Sequence, residues 1–351
     1  MPSPAVPESQ TVSVIIPTLN EEKTIGSALE ALRRQAVLPL QVIVVDNGST
    51  DKTKEGVEQF IQTAPEPRIL FLVEAKRGPS AARNTGIRQA KGDILAFLDA
   101  DSVPREDWVE KIVALLKPPL SGIGGPCMGF LPGHLMERYF TAVQKGTYTA
   151  KRLSQEQDLR MNFLPGGNCA FRKEALLEAG GFDESLQISE DMELCQRLLT
   201  FGRQLYFDPV LTVDHASNRS IFSRLKRNCL AGMVQAKVLQ DHFPKGITLT
   251  SGGLMKPRRF FQNASFAAVL DLFSMTKVLL FLCLIEKGIP FLSFLILAAL
   301  VAWRIDSTYR KARMTHTFPE LLFVLTFWCV ERICLDLGRW SGSFRYRTFY
   351  L

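Results

Sequence analysis

Short apolar runs separated by amphipathic stretches fill the first third of the chain. VSVII at 12–16, VIVV at 42–45, ILFLV at 69–73 and DILAFLD at 93–99 read as strands buried on both faces. Between them the apolar period lengthens to that of a helix. Residues 21–35 place Ile25, Ala28, Leu29 and Leu32 on one face, and helical patterns follow at 52–64 and 79–90. Pro79 suits a first helical turn. Strands alternating with helices predict a mainly parallel sheet flanked by helices. Such sheets bind ligands beyond the carboxyl ends of their strands. Polar clusters fall there: PTLNEE after the first strand, DNGSTD after the second and DADS after the fourth.

The pattern weakens over 120–165, where PPLSGIGGPCMGFLPG is rich in turn residues. FLPGGNCAF at 163–171 reads as a glycine turn running into a short strand, and EALLEAGG at 174–181 as a short helix with a glycine stop. SEDMELCQRLLTFG at 189–202 is an amphipathic helix with Ser189 as its N-cap and Gly202 as its stop. Residues 1–10 read as a loose tail, and 11–220 as one catalytic α/β domain.

Beyond residue 220 the character changes. Residues 221–260 read as basic amphipathic helices linking the domain to hydrophobic C-terminal helices at 261–351. Three apolar stretches lie in that last part: 266–285, broken by Asp271 and Lys277; 288–303, uncharged; and 319–337, holding Glu331 and Arg332. None is a clean run of about 20 apolar residues. The stretch at 288–303 is the best spanning candidate, interfacial helices compete with it, and a buried helical subdomain is the plain alternative.

Charge sharpens that division. The chain has 351 residues and a formal net charge of +7. Residues 1–220 hold 24 basic and 28 acidic side chains (net −4), and residues 221–351 hold 18 and 7 (net +11). A basic, apolar C-terminal third points to an anionic membrane surface rather than nucleic acid. The expected location is the cytoplasmic membrane, with the catalytic domain facing the cytoplasm. Seven cysteines without a CxxC pair argue against a disulfide framework or zinc cluster and for buried free thiols.

Asp99 and Asp101 flank Ala100 at the end of the fourth apolar run. In an extended chain, residues i and i+2 face the same way, about 7 Å apart. Two such carboxylates suit a hard divalent cation, Mg²⁺ or Mn²⁺, shared with a phosphate. His215 is a candidate further ligand, with a polar loop residue as the plain alternative. Asp46 can accept from ligand N–H groups or ribose hydroxyls, and Ser49 lies in the same polar turn. Pro17, Thr18, Asn20 and Glu21 could line a base pocket. Arg83 could pair with Asp46 or with a phosphate. Glu190 and Asp191 open a helix, where acids are favoured by the dipole, and also suit a general base.

Taken in order, VSVIIPTLNEE, VIVVDNGSTD, GPSAARNTGI, DILAFLDADSVP, GGNCAFRKEALLEAGGFDE and SEDMELCQRL resemble the family 2 glycosyltransferases with the GT-A fold. The resemblance covers about residues 11–220. It implies a UDP- or GDP-linked sugar donor, a divalent metal, and inversion at the anomeric carbon by one direct displacement. It implies that Asp46 contacts the base, that Arg83 supports the nucleotide, and that Asp99 contacts the nucleotide or its metal. Asp101 then ligates the metal, Asp191 is the catalytic base, and Gly166, Gly167 and Asn168 lie near donor sugar and acceptor. The QxxRW signature of processive synthases is missing after the Glu-Asp pair, which favours transfer of one or few sugars. The C-terminal segments resemble membrane anchors of bacterial members, implying a lipid-linked or glycan acceptor. Two other readings compete. A sugar nucleotidyltransferase would need a glycine-rich basic loop after the first strand, which PTLNEE is not. A non-catalytic scaffold would not need four intact acids.

Overall fold

The apolar runs form strands of one sheet; those at 12–18, 41–46 and 94–98 are buried on both faces, whereas the run at 69–73, expected to be buried, lies at the sheet edge and is only partly covered. The structure is a computed structural model, described here for residues 10–63, 66–129, 151–153, 162–215, 221–242, 246–250, 258–260, 267–271, 318–346 and 349–350. Strands β1 (Val12–Thr18), β2 (Gln41–Asp46), β3 (Ile69–Val73) and β4 (Ile94–Leu98) run parallel in the order β3-β2-β1-β4. The sheet continues beyond β4 with β9 (Asn168–Arg172), β6 (Leu120–Gly124), β10 (Gln204–Phe207) and β8 (Lys151–Arg152). β9 is antiparallel to both β4 and β6, so the sheet is mixed but mainly parallel, as expected.

Successive side chains on β1 serve opposite cores. Val12, Val14 and Ile16 pack with Ile25, Leu29 and Leu32 of α1 (Ile25–Arg33), Val57 of α2 (Thr53–Thr63), and Trp108 and Ile112 of α4 (Trp108–Leu115). Ile15 packs with Ala82 and Ile87 of α3 (Pro79–Gln89), Leu176 of α5 (Lys173–Ala179), and Leu194 and Leu198 of α6 (Glu190–Thr200). The sheet is thus sandwiched between two helical layers. Full burial of each such Leu or Ile side chain contributes about 1.5–3 kcal/mol.

Register places the site. Thr18 pairs with Asp46, and Asp46 with Val73, so the polar loops after β1, β2 and β3 leave the sheet at one level. A second, three-stranded sheet lies beside that edge. In it β11 (Val213–His215) runs antiparallel to β5 (Ser102–Pro104) and parallel to β7 (Cys127–Gly129). This pairing sets His215 opposite Ser102, one residue after Asp101.

Two expectations need correction here. Ser189 does stand at the N-cap position of α6, but its φ is +58° and its side chain makes no capping bond. Residues 221–260 are not helical throughout. Helix α7 (Ile221–His242) ends first, and β12 (Gly246–Thr250) and β13 (Arg258–Phe260) follow as strands. The apolar stretch from 266 likewise begins as a strand, β14 (Ala267–Asp271), in parallel register with β12. GITLT is β-branched and alternates, which favours a strand; AAVLD has only one β-branched residue and pairs with it in register. β15 (Phe349–Tyr350) completes this four-stranded sheet.

The apolar stretch at 319–337 does lie in a helix, α8 (Phe318–Tyr346). Its Glu331 accepts from Arg224 at 2.8 Å and Asn228 at 3.2 Å on α7. Gly232 and Gly338 let the two backbones touch where any β-carbon would collide. Among the described residues no helix is long and apolar enough to cross a membrane. The tail at 1–9 and the stretch at 288–303 lie outside the described residues.

Candidate active site

Four chain segments converge beyond the carboxyl ends of β1, β2 and β4. The first two are laced together by short polar side chains. Asp46 accepts from the N–H groups of Gly48 and Ser49, each at 3.1 Å. The Ser49 hydroxyl accepts from Asn20 N–H at 2.9 Å, and Asn20 Oδ1 accepts from Thr50 N–H at 2.8 Å. Glu21 N–H donates to the Thr53 hydroxyl at 2.8 Å, and Asp51 accepts from Thr53 N–H at the start of α2. The buried Thr18 hydroxyl donates to Val45 C=O at 3.3 Å. Thr18 is therefore spent on the fold rather than offered to a ligand, whereas Pro17 and Glu21 stay partly exposed and Asn20 is exposed.

Arg77 belongs to this segment and was not anticipated. Its guanidinium lies over Gly48 and donates to Asn47 C=O at 3.0 Å. The only hint in the sequence is a basic pair, Lys76-Arg77, immediately before Gly78-Pro79.

The third segment carries the paired acids. They do not sit in an extended chain; β4 ends at Leu98, and Asp99 to Ser102 form a turn closed by Ser102 N–H to Asp99 C=O at 3.0 Å. The turn buries the Ala100 methyl in the core, so that side chain is no ligand contact. It aims both carboxylates at His215. His215 Nε2 is 3.1 Å from Asp101 Oδ1 and 4.0 Å from Asp99 Oδ2. One ligand atom from each of the three lies within 4.8 Å of the others. Two carboxylates and one imidazole form a donor set that suits Mn²⁺ or Mg²⁺.

The fourth segment is the start of α6 with the turn before β9. Asp191 Oδ2 accepts from Gly166 N–H at 2.8 Å. Burial pushes the Asp191 carboxyl up to about 6, and the neighbouring Glu190 charge adds to the rise. The Gly166 hydrogen bond and Arg83 oppose it. A carboxylate of that basicity is matched to proton abstraction near neutral pH. Glu190 differs. It is buried, and its Oε1 lies 2.5 Å from Arg83 Nη1, so it serves Arg83 rather than a substrate. The expectation of Glu190 as a catalytic group is corrected accordingly.

Arg83 does not pair with Asp46. It reaches Glu190 and, at 3.3 Å, Asp99, because α3 packs behind the third and fourth segments. Burial opposes its charge, but Glu190, Asp99 and Asp191 outweigh that and hold it protonated. Gly167 brings its backbone beneath the Asp99 carboxylate, where a side chain would collide. Asn168 turns inward. It is fully buried, accepts from Trp108 Nε1 at 2.9 Å, and donates to Pro126 C=O at 3.1 Å and Leu211 C=O at 2.6 Å. Asn168 thus ties the small sheet to the large one instead of touching donor or acceptor.

Cys127 lies near these acids, and Cys169 and Cys195 sit in the core beneath. Burial pushes all three thiols up, and for Cys127 the charges of Asp99, Asp101 and Asp191 push further. They stay protonated and carry no nucleophilic chemistry.

Residues 13–180 match the model of glycosyl transferase family 2. Glycosyltransferase AglE of Haloferax volcanii is 32% identical over 263 residues, covering 71% of this chain and 83% of that protein. The chain belongs to the family 2 glycosyltransferases. A pre-mycofactocin glycosyltransferase of Mycobacterium tuberculosis is 29% identical over 72% of this chain, which spans only 53% of that relative's length. The fold of this family member is also similar to that of mannosyltransferase PcManGT from Pyrobaculum calidifontis, solved with GDP-Man and Mn²⁺. Sequence identity there is 19% and the TM-score 0.57, covering 97% of this chain and 88% of the other.

Proposed function

We propose that the protein transfers a single sugar from a nucleoside-diphosphate sugar to a lipid-linked or glycan acceptor, with inversion by one direct displacement. The observation that carries this reading is the juxtaposition of a three-ligand acid–imidazole cluster with a separate, basic carboxylate. Asp99, Asp101 and His215 would hold a divalent cation. When bound, such a cation offsets the charge that builds on a departing diphosphate. The laced loops at 17–21 and 46–50 offer exposed polar atoms to a nucleoside, with Arg77 beside them. Asp191 takes the proton from the acceptor hydroxyl as its oxygen attacks. Glu190 and Arg83 keep that carboxylate's surroundings charged and ordered without touching the substrate.

The donor is a UDP- or GDP-linked sugar, a class that includes the GDP-Man held by the mannosyltransferase of similar fold. The test is nucleotide release by the full-length, detergent-solubilised protein across UDP-, GDP-, CMP- and dTDP-sugars, with and without Mn²⁺. Slow hydrolysis of one donor, abolished by chelation, is expected. Release that ignores chelation would sink the metal-dependent reading. Nucleotide binding without any turnover, in the presence of acceptor extracts, would favour the scaffold alternative.

The acceptor side of this reading is a cytoplasm-facing anionic membrane. It is supported by the +11 charge of residues 221–351 and by α7, whose exposed face carries Phe222, Lys226, Arg227 and Leu230. Aromatic and basic groups together on one helix suit the lipid headgroup region. Co-sedimentation with vesicles is expected to rise with anionic lipid content and to fall in about 0.5 M salt, where the Debye length is roughly half its value of about 10 Å at 0.1 M. Equal recovery with neutral and anionic vesicles would remove the electrostatic part of the proposal.

A further inference from the structure

One buried guanidinium joins the two halves of the site. Arg83 is 4% exposed. Its Nη1 lies 2.5 Å from Glu190 on α6, and its Nη2 lies 3.3 Å from Asp99 after β4. The Phe182 ring packs over the same group, 5.4 Å from Cζ to centroid. Gly166 closes another side; a β-carbon there would stand 3.1 Å from Nη2 and 3.4 Å from Asp191 Cβ. One planar cation therefore touches the strand end bearing the metal acid, the helix bearing the base, and the turn whose N–H holds that base.

This arrangement differs from a donor contact. Both terminal nitrogens are committed to protein carboxylates. Burial leaves little room for a phosphate to approach. The resemblance to the family implies nucleotide support from Arg83, but its geometry faces inward. We propose that Arg83 is a positioning residue: by holding Asp99 and Glu190 on separate nitrogens, it sets where Asp191 stands relative to the metal-binding acids. The proposal rests on the transferase reading given above and deepens it.

Arginine suits the task because its fork is rigid and holds two carboxylates at a fixed spacing. A lysine is one point charge on a flexible stem and cannot span both. Direct displacement needs the acceptor oxygen, the anomeric carbon and the leaving group in line. A misplacement of about 1 Å there costs about 100-fold in rate. Loss of the fork should therefore fall on turnover and on the metal acid it holds rather than on the loops that would bind the nucleoside.

The test compares full-length wild type, Arg83→Lys, Glu190→Gln and the double variant. Hydrogen–deuterium exchange is measured without ligand, followed by Mn²⁺-dependent nucleotide binding and donor turnover. In Arg83→Lys, exchange at 164–168 and 189–194 is expected to rise about tenfold while 42–51 stays as in wild type, since loosening is local. kcat at saturating Mn²⁺ and donor is expected to fall about 100-fold with metal-free nucleotide Kd within about threefold, while Mn²⁺-dependent affinity loses no more than the about 10–100-fold that a group orienting a metal ligand carries. The double variant should be no slower than the slower single variant, because both remove one shared contact.

Unchanged exchange at both segments overturns the proposal whatever turnover does. So does a tenfold or so rise in nucleotide Kd with kcat intact, the result a direct donor contact gives. A wild type that turns over no donor removes the transferase reading alone, and the exchange comparison still decides the role of Arg83. If Arg83→Lys does not fold, Glu190→Gln must speed exchange at 164–168, and protection there equal to wild type overturns the proposal.

Discussion

Asp191→Asn is expected to lower sugar transfer by about 10³-fold while leaving nucleotide affinity within about threefold. The substitution keeps the shape of the side chain and its oxygen for Gly166 N–H, which lies 2.8 Å away. It removes the capacity to take a proton and one acceptor, the oxygen that takes Met192 N–H at 2.8 Å. A general base contributes about 10²–10⁴-fold, and no other described carboxylate offers a substitute. Glu190 is occupied by Arg83, while Asp99 and Asp101 face His215. Donor-dependent transfer at near wild-type rate in Asp191→Asn would remove the role.

The pH dependence has a definite sign. Burial and Glu190 raise the Asp191 carboxyl to about 6, so it is ionised above that pH and protonated below. Wild-type kcat should fall roughly tenfold per pH unit as the pH drops below about 6, and level off above it. For stability the sign is reversed. A raised folded-state pKa means that the fold favours the protonated acid. Its contribution is present below the ordinary value of 3.8 and is lost as the pH rises through about 6. Asp191→Asn should therefore melt at or above the wild-type temperature at pH 7, although it is inactive. A lower melting point would mean that the carboxylate's hydrogen bonds outweigh its burial.

The sheet was legible because its strands are continuous apolar runs that have few alternatives to double burial. Asp46, the paired acids and Asp191 could be placed beyond strand ends and at a helix start because the apolar runs that precede them, and the helix pattern that follows, fix those positions. What could not be read depends on pairings between distant segments. Nothing local to Asn168 indicates that Trp108, Pro126 and Leu211 will consume its carboxamide. Ala100 sits between two acids, yet the turn that brings those acids to His215 drives its methyl into the core. Thr18 is spent on Val45 C=O for the same reason, since a buried hydroxyl must find a partner. Arg83 offered several acids within plausible reach, and only the packing of α3 selects Asp99 and Glu190 over Asp46. The C-terminal strands show the limit most plainly. GITLT and AAVLD are separated by 16 residues, so their parallel register cannot be inferred from either alone, and their apolar content reads equally well as helix.

The second large effect is expected at the metal-binding turn. Asp101→Ala should weaken Mn²⁺-dependent nucleotide binding by about 100-fold or more, since even changes in the groups that orient metal ligands cost about 10–100-fold. Asp101 is the closest carboxylate to His215, at 3.1 Å, so its loss breaks the tightest edge of the three-ligand cluster. Asp99 cannot compensate, because it stands 4.0 Å from the imidazole and also answers to Arg83. The defect should appear in binding and not only in turnover, which separates it from Asp191→Asn. Calorimetric titration with UDP and GDP, with and without Mn²⁺, distinguishes the two. Metal-independent binding should be weak and equal in wild type and variant. If Mn²⁺ strengthens nucleotide binding as much in Asp101→Ala as in wild type, the cation sits elsewhere, and the pairing of β5 with β11 has only a structural purpose.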